Sequence, residues 1–374
     1  MALADAAGGL WRSVSFHPAA TAVFHGALVA VTVALLKKRP IASPRDAIVR
    51  CAQWTLMLLG LVAFAAVSSG DFFFAFNLLS HAVFAHAPVL GAYVAFVLVP
   101  RPWKLIWSLI SLTLVAIMID AFVVEPTSLT VRRETITSDK LRRPLRAVVL
   151  ADLQFDVFDE HTKSALRLAM RERPDVLLLP GDFVQRTRRR GGDAVRREAN
   201  AFLREIHFGA PLGVYAVEGN VEWEPGWEGL FEGLTVHTFS NVQRIEGEEL
   251  VVTGMGLRES ANGSQVIEGA SGAGRGRFHI AIGHAPDFAM GDVRADLLVA
   301  GHTHGGQVQL PIVGPLLTLS GVPREWAAGN RAIALSGGRT LIVSRGVGHE
   351  RGSAPRLRFR CKPEVVVIEL RPRG

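Results

Sequence analysis

Two hydropathy textures divide the chain. Through residues 1–124 apolar side chains run almost unbroken. Crossing a bilayer takes about 20 apolar residues in a helix, and the stretches 19–36, 54–69, 78–99 and 105–124 approach that length. Polar breaks at 37–50, 68–71 and 100–104 separate them. Trp54, Trp103 and Trp107 stand near segment ends, where aromatic rings favour the bilayer interface. Beyond residue 125 the apolar runs are short and alternate with helical spacing. Strands are predicted at 145–151, 175–179, 213–217, 250–254, 278–282, 296–300, 341–344 and 364–370, and helices at 158–171 and 193–206. Runs this short and this continuous suit strands buried on both faces. The expected fold is therefore a layered α/β domain preceded by an all-α transmembrane region of about four helices. Residues 1–124 would form the transmembrane region, 125–145 a juxtamembrane linker and 146–374 the folded domain. The Gly- and Ser-rich stretch 256–276 reads as a loop.

Charge adds a partner class. The formal net charge is +7, concentrated at Lys37-Lys38-Arg39, Arg132-Arg133, Arg142-Arg143, 186–190 and Arg196-Arg197. Such clusters suit membrane lipids or phosphorylated substrates, or are solvated loops. No helix-turn-helix, zinc-finger or RNA-binding signature accompanies them, which argues against a nucleic-acid partner. The two cysteines, Cys51 and Cys361, provide neither a disulfide framework nor a thiolate zinc pattern.

Charge also bears on topology. Arg12 precedes the first apolar run and Lys37-Lys38-Arg39 follow it, the order of an uncleaved helix with its N-terminus outside. An even number of spans then leaves the folded domain extracytoplasmic. Arg132, Arg133, Arg142 and Arg143 pull the other way. His25, His81, His86 and Asp120 fall inside spans, either on a haem or proton path or as neutral groups bonded to neighbouring helices. His81 and His86 are five residues apart, a spacing that does not align them on one α-helical face.

The polar residues of the second half gather at strand ends. Asp152, Asp182, Asn220, His284 and His302 each closely follow an apolar run. In layered α/β folds ligands bind at the carboxyl ends of strands. Singly each could be a turn or cap residue; together they can converge on one site. Carboxylate, amide and imidazole without thiolate suit Mn, Fe, Zn or Co, and the set could hold two ions. Two nearby metals are a standard arrangement for phosphate-ester hydrolysis, in which a bridging hydroxide attacks.

The motifs Ala151-Asp152-Leu153-Gln154, Gly181-Asp182, Gly219-Asn220-Val221-Glu222, Gly283-His284 and Gly301-His302-Thr303-His304-Gly305-Gly306-Gln307 occur in this order. Over residues 146–370 the chain thereby resembles the calcineurin-like metallophosphoesterases, the last motif being the most specific. Gly305-Gly306-Gln307, Leu310-Pro311 and Pro211-Leu212-Gly213-Val214-Tyr215 look like the membrane-associated branch, some members of which resemble UDP-2,3-diacylglucosamine diphosphatases. The resemblance implies two divalent metal ions. Asp152, Gln154 and His304 would bind the first, Asp182 would bridge, and Asn220, His284 and His302 would bind the second.

Two positions depart from the family pattern. Gln154 stands where a His is usual; a neutral amide oxygen implies a weaker first site, one favouring Mn. Val221 stands where a His that protonates the leaving group is usual. General acid catalysis contributes ~10²–10⁴-fold and matters most for alkoxide leaving groups. A phosphate, with a second pKa of about 6, leaves without it. The expectation is a membrane-anchored phosphoesterase acting on a diphosphate or activated phosphoester, possessing no assigned catalytic side chain beyond the candidates Glu222 and His349. The alternatives are a degenerate phosphoesterase serving as a metal-containing binding or regulatory protein, and a transport or signalling protein whose spans are the active part.

Overall fold

The structure, a computed structural model, describes residues 17–37, 44–99, 101–185, 192–222, 226–269 and 276–373. The chain divides into two compact units: Met1–Val124 with Glu350–Leu357, and Glu125–His349 with Arg358–Gly374.

The first unit is helical. Helices α1 (Pro18–Lys37), α2 (Pro44–Ser69), α3 (Phe72–His81), α4 (Ala87–Tyr93) and α5 (Arg101–Ile119) are joined in part by π-helical turns at Ala82–His86, Val94–Leu98 and Asp120–Val124. Among the described residues, four helical stretches are long and apolar enough to cross a membrane: Pro18–Leu35, Val49–Ser69, Phe72–Phe96 and Arg101–Thr127. The break between α2 and α3 is local chemistry. Gly70 adopts φ +65°, which favours glycine, and Asp71 then caps α3 by accepting from Phe74 N at 3.0 Å. Phe24, Leu28, Leu58, Phe74, Leu78 and Ala82 pack where the first three stretches meet.

The π-turn at Ala82–His86 overturns one expectation. Its i→i+5 closure makes five residues about one turn, so His81 and His86 both reach His25 from α1. His25 Nδ1 and His86 Nε2 lie 2.7 Å apart, a hydrogen bond between two helices in which one imidazole donates and the other accepts.

The second unit is a layered α/β structure. Its strands are β1 (Thr130–Ser138), β2 (Leu145–Val149), β3 (Val176–Leu179), β4 (Val214–Val217), β5 (His237–Phe239), β6 (Gln243–Glu246), β7 (Leu250–Gly254), β8 (Val266–Ile267), β9 (Phe278–Ile282), β10 (Asp292–Val293), β11 (Leu297–Ala300), β12 (Gln309–Leu310), β13 (Gly314–Pro315), β14 (Ile333–Ala334), β15 (Thr340–Val343) and β16 (Glu364–Pro372). One six-stranded sheet runs β1-β16-β2-β3-β4-β5, the other β14-β15-β11-β9-β7-β6. Val149, Val176, Leu178 and Val217 of the first pack against Val252, Ile280, Val299 and Ile342 of the second, which forms the core between the sheets. Alternate residues of the first sheet, such as Val148, Leu177 and Ala216, instead face helices α6 (Glu160–Arg171) and α7 (Gly192–Glu205). Both faces are thus covered, as the unbroken apolar runs require.

Residues 130–138, inside the stretch read as a linker, form β1, which pairs in parallel with β16 along its whole length. An edge strand with polar, partly exposed positions leaves no apolar run to read. The 256–276 loop contains a short helix at Leu257–Ser260 and strand β8; residues 270–275 lie outside the described residues.

Candidate metal centre

Strands β2, β3 and β4 are parallel in one sheet, and β9 and β11 in the other. Asp152, Asp182, Asn220, His284 and His302 lie in the loops after them. The loops are joined through their backbones: Asp152 N donates to Gly181 O (3.1 Å), Gln154 N to Asp182 O (2.8 Å) and Gly301 N to His284 O (2.9 Å). Asp152, Gln154, Asp182, His302 and His304 have φ of 49°, 40°, 57°, 69° and 47°. Each such non-glycine conformation costs roughly 1–3 kcal/mol and persists only where its surroundings enforce it. Crowding helps to enforce it: a Cβ on Gly219 would stand 2.1 Å from Asp182 Oδ1, and one on Gly346 2.7 Å from Asp152 Cβ.

Asp152, Asp182 and His284 offer ligand atoms within 4.8 Å of one another, all buried. His284 Nδ1 lies 2.7 Å from Pro180 O. A carbonyl can only accept, so Nδ1 carries the proton and Nε2 presents a lone pair. Burial holds this imidazole down at about 4, the bond to Pro180 opposing in part, so it is neutral at neutral pH. His302 is fixed the same way, its Nε2 lying 3.1 Å from Leu319 O. Its Nδ1 then faces His284 Nε2 at 3.1 Å and Asn220 Oδ1 at 2.9 Å. Asn220 Oδ1 is also 2.9 Å from His284 Nε2, which lies 3.4 Å from Asp182 Oδ1. Four acceptor atoms on four loops thus point at one another. That arrangement is repulsive alone and favourable around a cation, so the donor set fits a divalent metal.

Comparison with known proteins agrees with this chemistry. The calcineurin-like phosphoesterase family profile matches residues 145–306. The chain is 31% identical over 257 residues to the phosphodiesterase YaeI of Escherichia coli (strain K12), covering 61% of this chain and 82% of that protein. The chain belongs to the calcineurin-like phosphoesterase family. It is also 27% identical to the uncharacterized metallophosphoesterase YkuE of Bacillus subtilis (strain 168), over 57% of this chain and 73% of that one. An uncharacterized metallophosphoesterase of Aquifex aeolicus (strain VF5) matches at 26% identity over 70% of this chain and 99% of its own length.

The other candidate residues of this phosphoesterase lie around the same loops. Gln154 is buried, and its Nε2 donates to Gln185 Oε1 at 3.3 Å, which in a planar amide turns Oε1 away from Gln185. His304 is buried, and its carbonyl accepts from the Cys361 thiol at 3.2 Å. Val221 is buried; its N–H donates to Asp182 Oδ1 at 3.0 Å, a positioning contact with no proton to give a leaving group. Glu222 is not arranged as an acid. Its carboxylate accepts from the N–H of Asp182 (2.9 Å), Phe183 (2.8 Å), Val184 (3.3 Å) and Gly219 (2.9 Å), tying the β3 loop to the β4 loop. Burial, with Asp182 nearby, raises its pKa, while the N–H groups of Phe183, Gly219 and Val184 favour the charged carboxylate. His349 is half-buried, next to Gly348, whose N–H donates to Asp152 O at 2.7 Å. Residues 186–190 lie outside the described residues; Arg197 is exposed, and Arg196 pairs with Asp193 at 3.2 Å.

Arg358 escapes sequence reasoning altogether. It is fully buried and donates to the carbonyls of Gly348 (2.9 Å), Cys361 (3.0 Å) and Arg345 (2.7 Å). It thereby shapes the 345–348 loop that lies against Asp152. Desolvation lowers its pKa, with Cys361 and Asp152 opposing. Its partners are backbone carbonyls, which carry no residue-type signal.

Proposed function

We propose that this phosphoesterase hydrolyses a diphosphate or another activated phosphoester on an amphipathic or lipid-linked substrate, while anchored in a membrane by its four apolar helices. The observation that carries the reading is the convergence of acceptor atoms from Asp182, Asn220, His284 and His302 in a chain that also has four spans long enough for a bilayer. Asp152, Gln154 and His304 would hold one divalent ion, Asn220, His284 and His302 a second, and Asp182 both, with Mn, Fe, Zn and Co as candidates. Bound cations of this kind supply Lewis acidity and a hydroxide nucleophile near neutral pH. The protein's own groups do the rest. Pro180 O and Leu319 O fix the two imidazole tautomers. Glu222 holds the Asp182 loop through its backbone. Val221 leaves the site without the usual proton donor, so the leaving group must depart as a stable anion. The folded domain is proposed to be extracytoplasmic.

The test uses the full chain in detergent with Mn, comparing a nucleoside diphosphate sugar, bis(p-nitrophenyl) phosphate and glycerol 3-phosphate. The diphosphate and the aryl diester should turn over at least about 10²-fold faster than the alkyl phosphate, and Val221→His should narrow that gap. Equal rates on all three would sink the leaving-group argument. Metal binding without turnover on any of them, with turnover restored by Val221→His, would favour a binding or regulatory role.

A further inference from the structure

Beside the metal centre the chain projects an apolar tip that the catalytic chemistry does not use. Strands β12 and β13 pair as a short antiparallel hairpin, Gln309 opposite Pro315 and Leu310 opposite Gly314. Its turn is Pro311-Ile312-Val313. Ile312 is fully exposed at 108% of its reference area, and Val313, Leu316 and Leu319 stay half-exposed at 52%, 52% and 51%. Ile312 also has φ +70°. Hairpin turns place Gly, Asn or Asp at such positions, and a β-branched side chain there is a genuine outlier. Local preference and water solubility both disfavour this sequence at this place. The segment that follows the hairpin is tied to the site: Leu319 O is the partner of His302 Nε2 at 3.1 Å.

The foot of the hairpin is joined through the backbone to the first residue of the second unit, Glu125. Gln309 N donates to Phe359 O (2.9 Å), and Phe359 N to Gln307 O (2.8 Å). The next residues, Arg360 and Cys361, donate their backbone N–H groups to the carboxylate of Glu125. Along the chain Glu125 directly follows Val124, the last residue of the long apolar half. Arg360 and Lys362, both exposed, add cationic charge on this segment. An apolar knob with cations behind it matches the acyl boundary and anionic headgroups of a bilayer leaflet. A groove would be needed to enclose one acyl chain, and this feature is convex.

We propose that the 309–315 hairpin inserts its tip into the surface of an anionic bilayer and so presents the adjoining metal centre to lipid-borne phosphoesters, the last clause resting on the phosphoesterase reading above. Full-length protein carrying Cys51→Ser and Ile312→Cys is labelled with a polarity-sensitive dye and placed in nanodiscs of mixed neutral and anionic phospholipid. A parallel variant carries the dye through Val313→Cys, in case Ile312→Cys alone disturbs the turn. A control carries it through Glu248→Cys on the exposed β6–β7 turn. The tip dyes should shift to the blue and lose emission to a nitroxide attached high on the acyl chain; the control should do neither. Dyes at both tip positions quenched by aqueous iodide and untouched by the lipid nitroxide would overturn the proposal. So would concentration-dependent self-quenching in lipid-free detergent, which would show a second copy on the tip. Turnover of bis(p-nitrophenyl) phosphate by the same samples is read separately: lipid quenching without turnover supports insertion and removes the phosphoesterase reading alone.

Discussion

A Cβ on residue 219 would lie 2.1 Å from Asp182 Oδ1 and 2.4 Å from Asp182 N, and neither atom can retreat while Glu222 and Val221 hold that loop. Gly219→Ala should therefore displace Asp182. A displacement near 1 Å can cost about 10²-fold in rate, and turnover measured alongside metal content should show both falling; unchanged values would mean Asp182 is not held as described. Gln154→His places an imidazole where the amide now sits. It should tighten metal binding at the weaker position, seen by titration in a chelator-buffered Mn or Zn series, and an unchanged affinity would argue that Gln154 is no ligand. The candidate ligands were legible because a polar residue after an apolar run stands out. Glu222, one of the two candidates for a replacement acid, has its carboxylate engaged by four backbone N–H groups. Neither that clamp nor Arg358 was legible, since both bind main chain brought from distant segments.

Among the elements, β9 carries a titration of its own. His279, buried in that strand, accepts from Thr253 Oγ1 at 2.8 Å and donates Nδ1–H to Arg294 O at 3.1 Å. Burial first, then the charge of Arg244, hold its pKa down at about 4. The unfolded chain, with a His pKa near 6.5, takes up the proton first. Stability from this group is thus complete above pH 6.5 and lost as pH falls towards 4, a loss of about 3 kcal/mol. Denaturant unfolding of the metal-free protein across that window should show the slope, and His279→Asn should reduce it to the part that the buried His284, also held down at about 4, contributes; the same slope in both would place the titration elsewhere. At this scale the eight buried strands read from the sequence correspond to β2, β3, β4, β7, β9, β11, β15 and β16. What escaped were elements whose signal is pairing or closure: the polar edge strand β1 and the π-turn that aligns His81 with His86.

For the whole molecule, the apolar half and the phosphoesterase half are separately legible because each follows a different solvent rule. Val23, Leu56, Phe64, Val67, Val89, Phe96, Leu105 and Leu112 of the helical unit are exposed, an outer face that suits lipid. The full chain should stay in the pelleted membrane after an alkaline carbonate wash that strips peripheral proteins; release into the supernatant would remove the anchor from the account. The phosphoesterase half holds the proposed metal centre, in which Asp182 would be shared between two ions. Elemental analysis joined to turnover tests it, on full-length wild type and Asp182→Asn after reconstitution with Mn. Two bound ions per chain are expected in the wild type. The variant should bind fewer and hydrolyse bis(p-nitrophenyl) phosphate at least about 10³-fold more slowly. A variant that keeps its metal and its rate would contradict a centre built on Asp182.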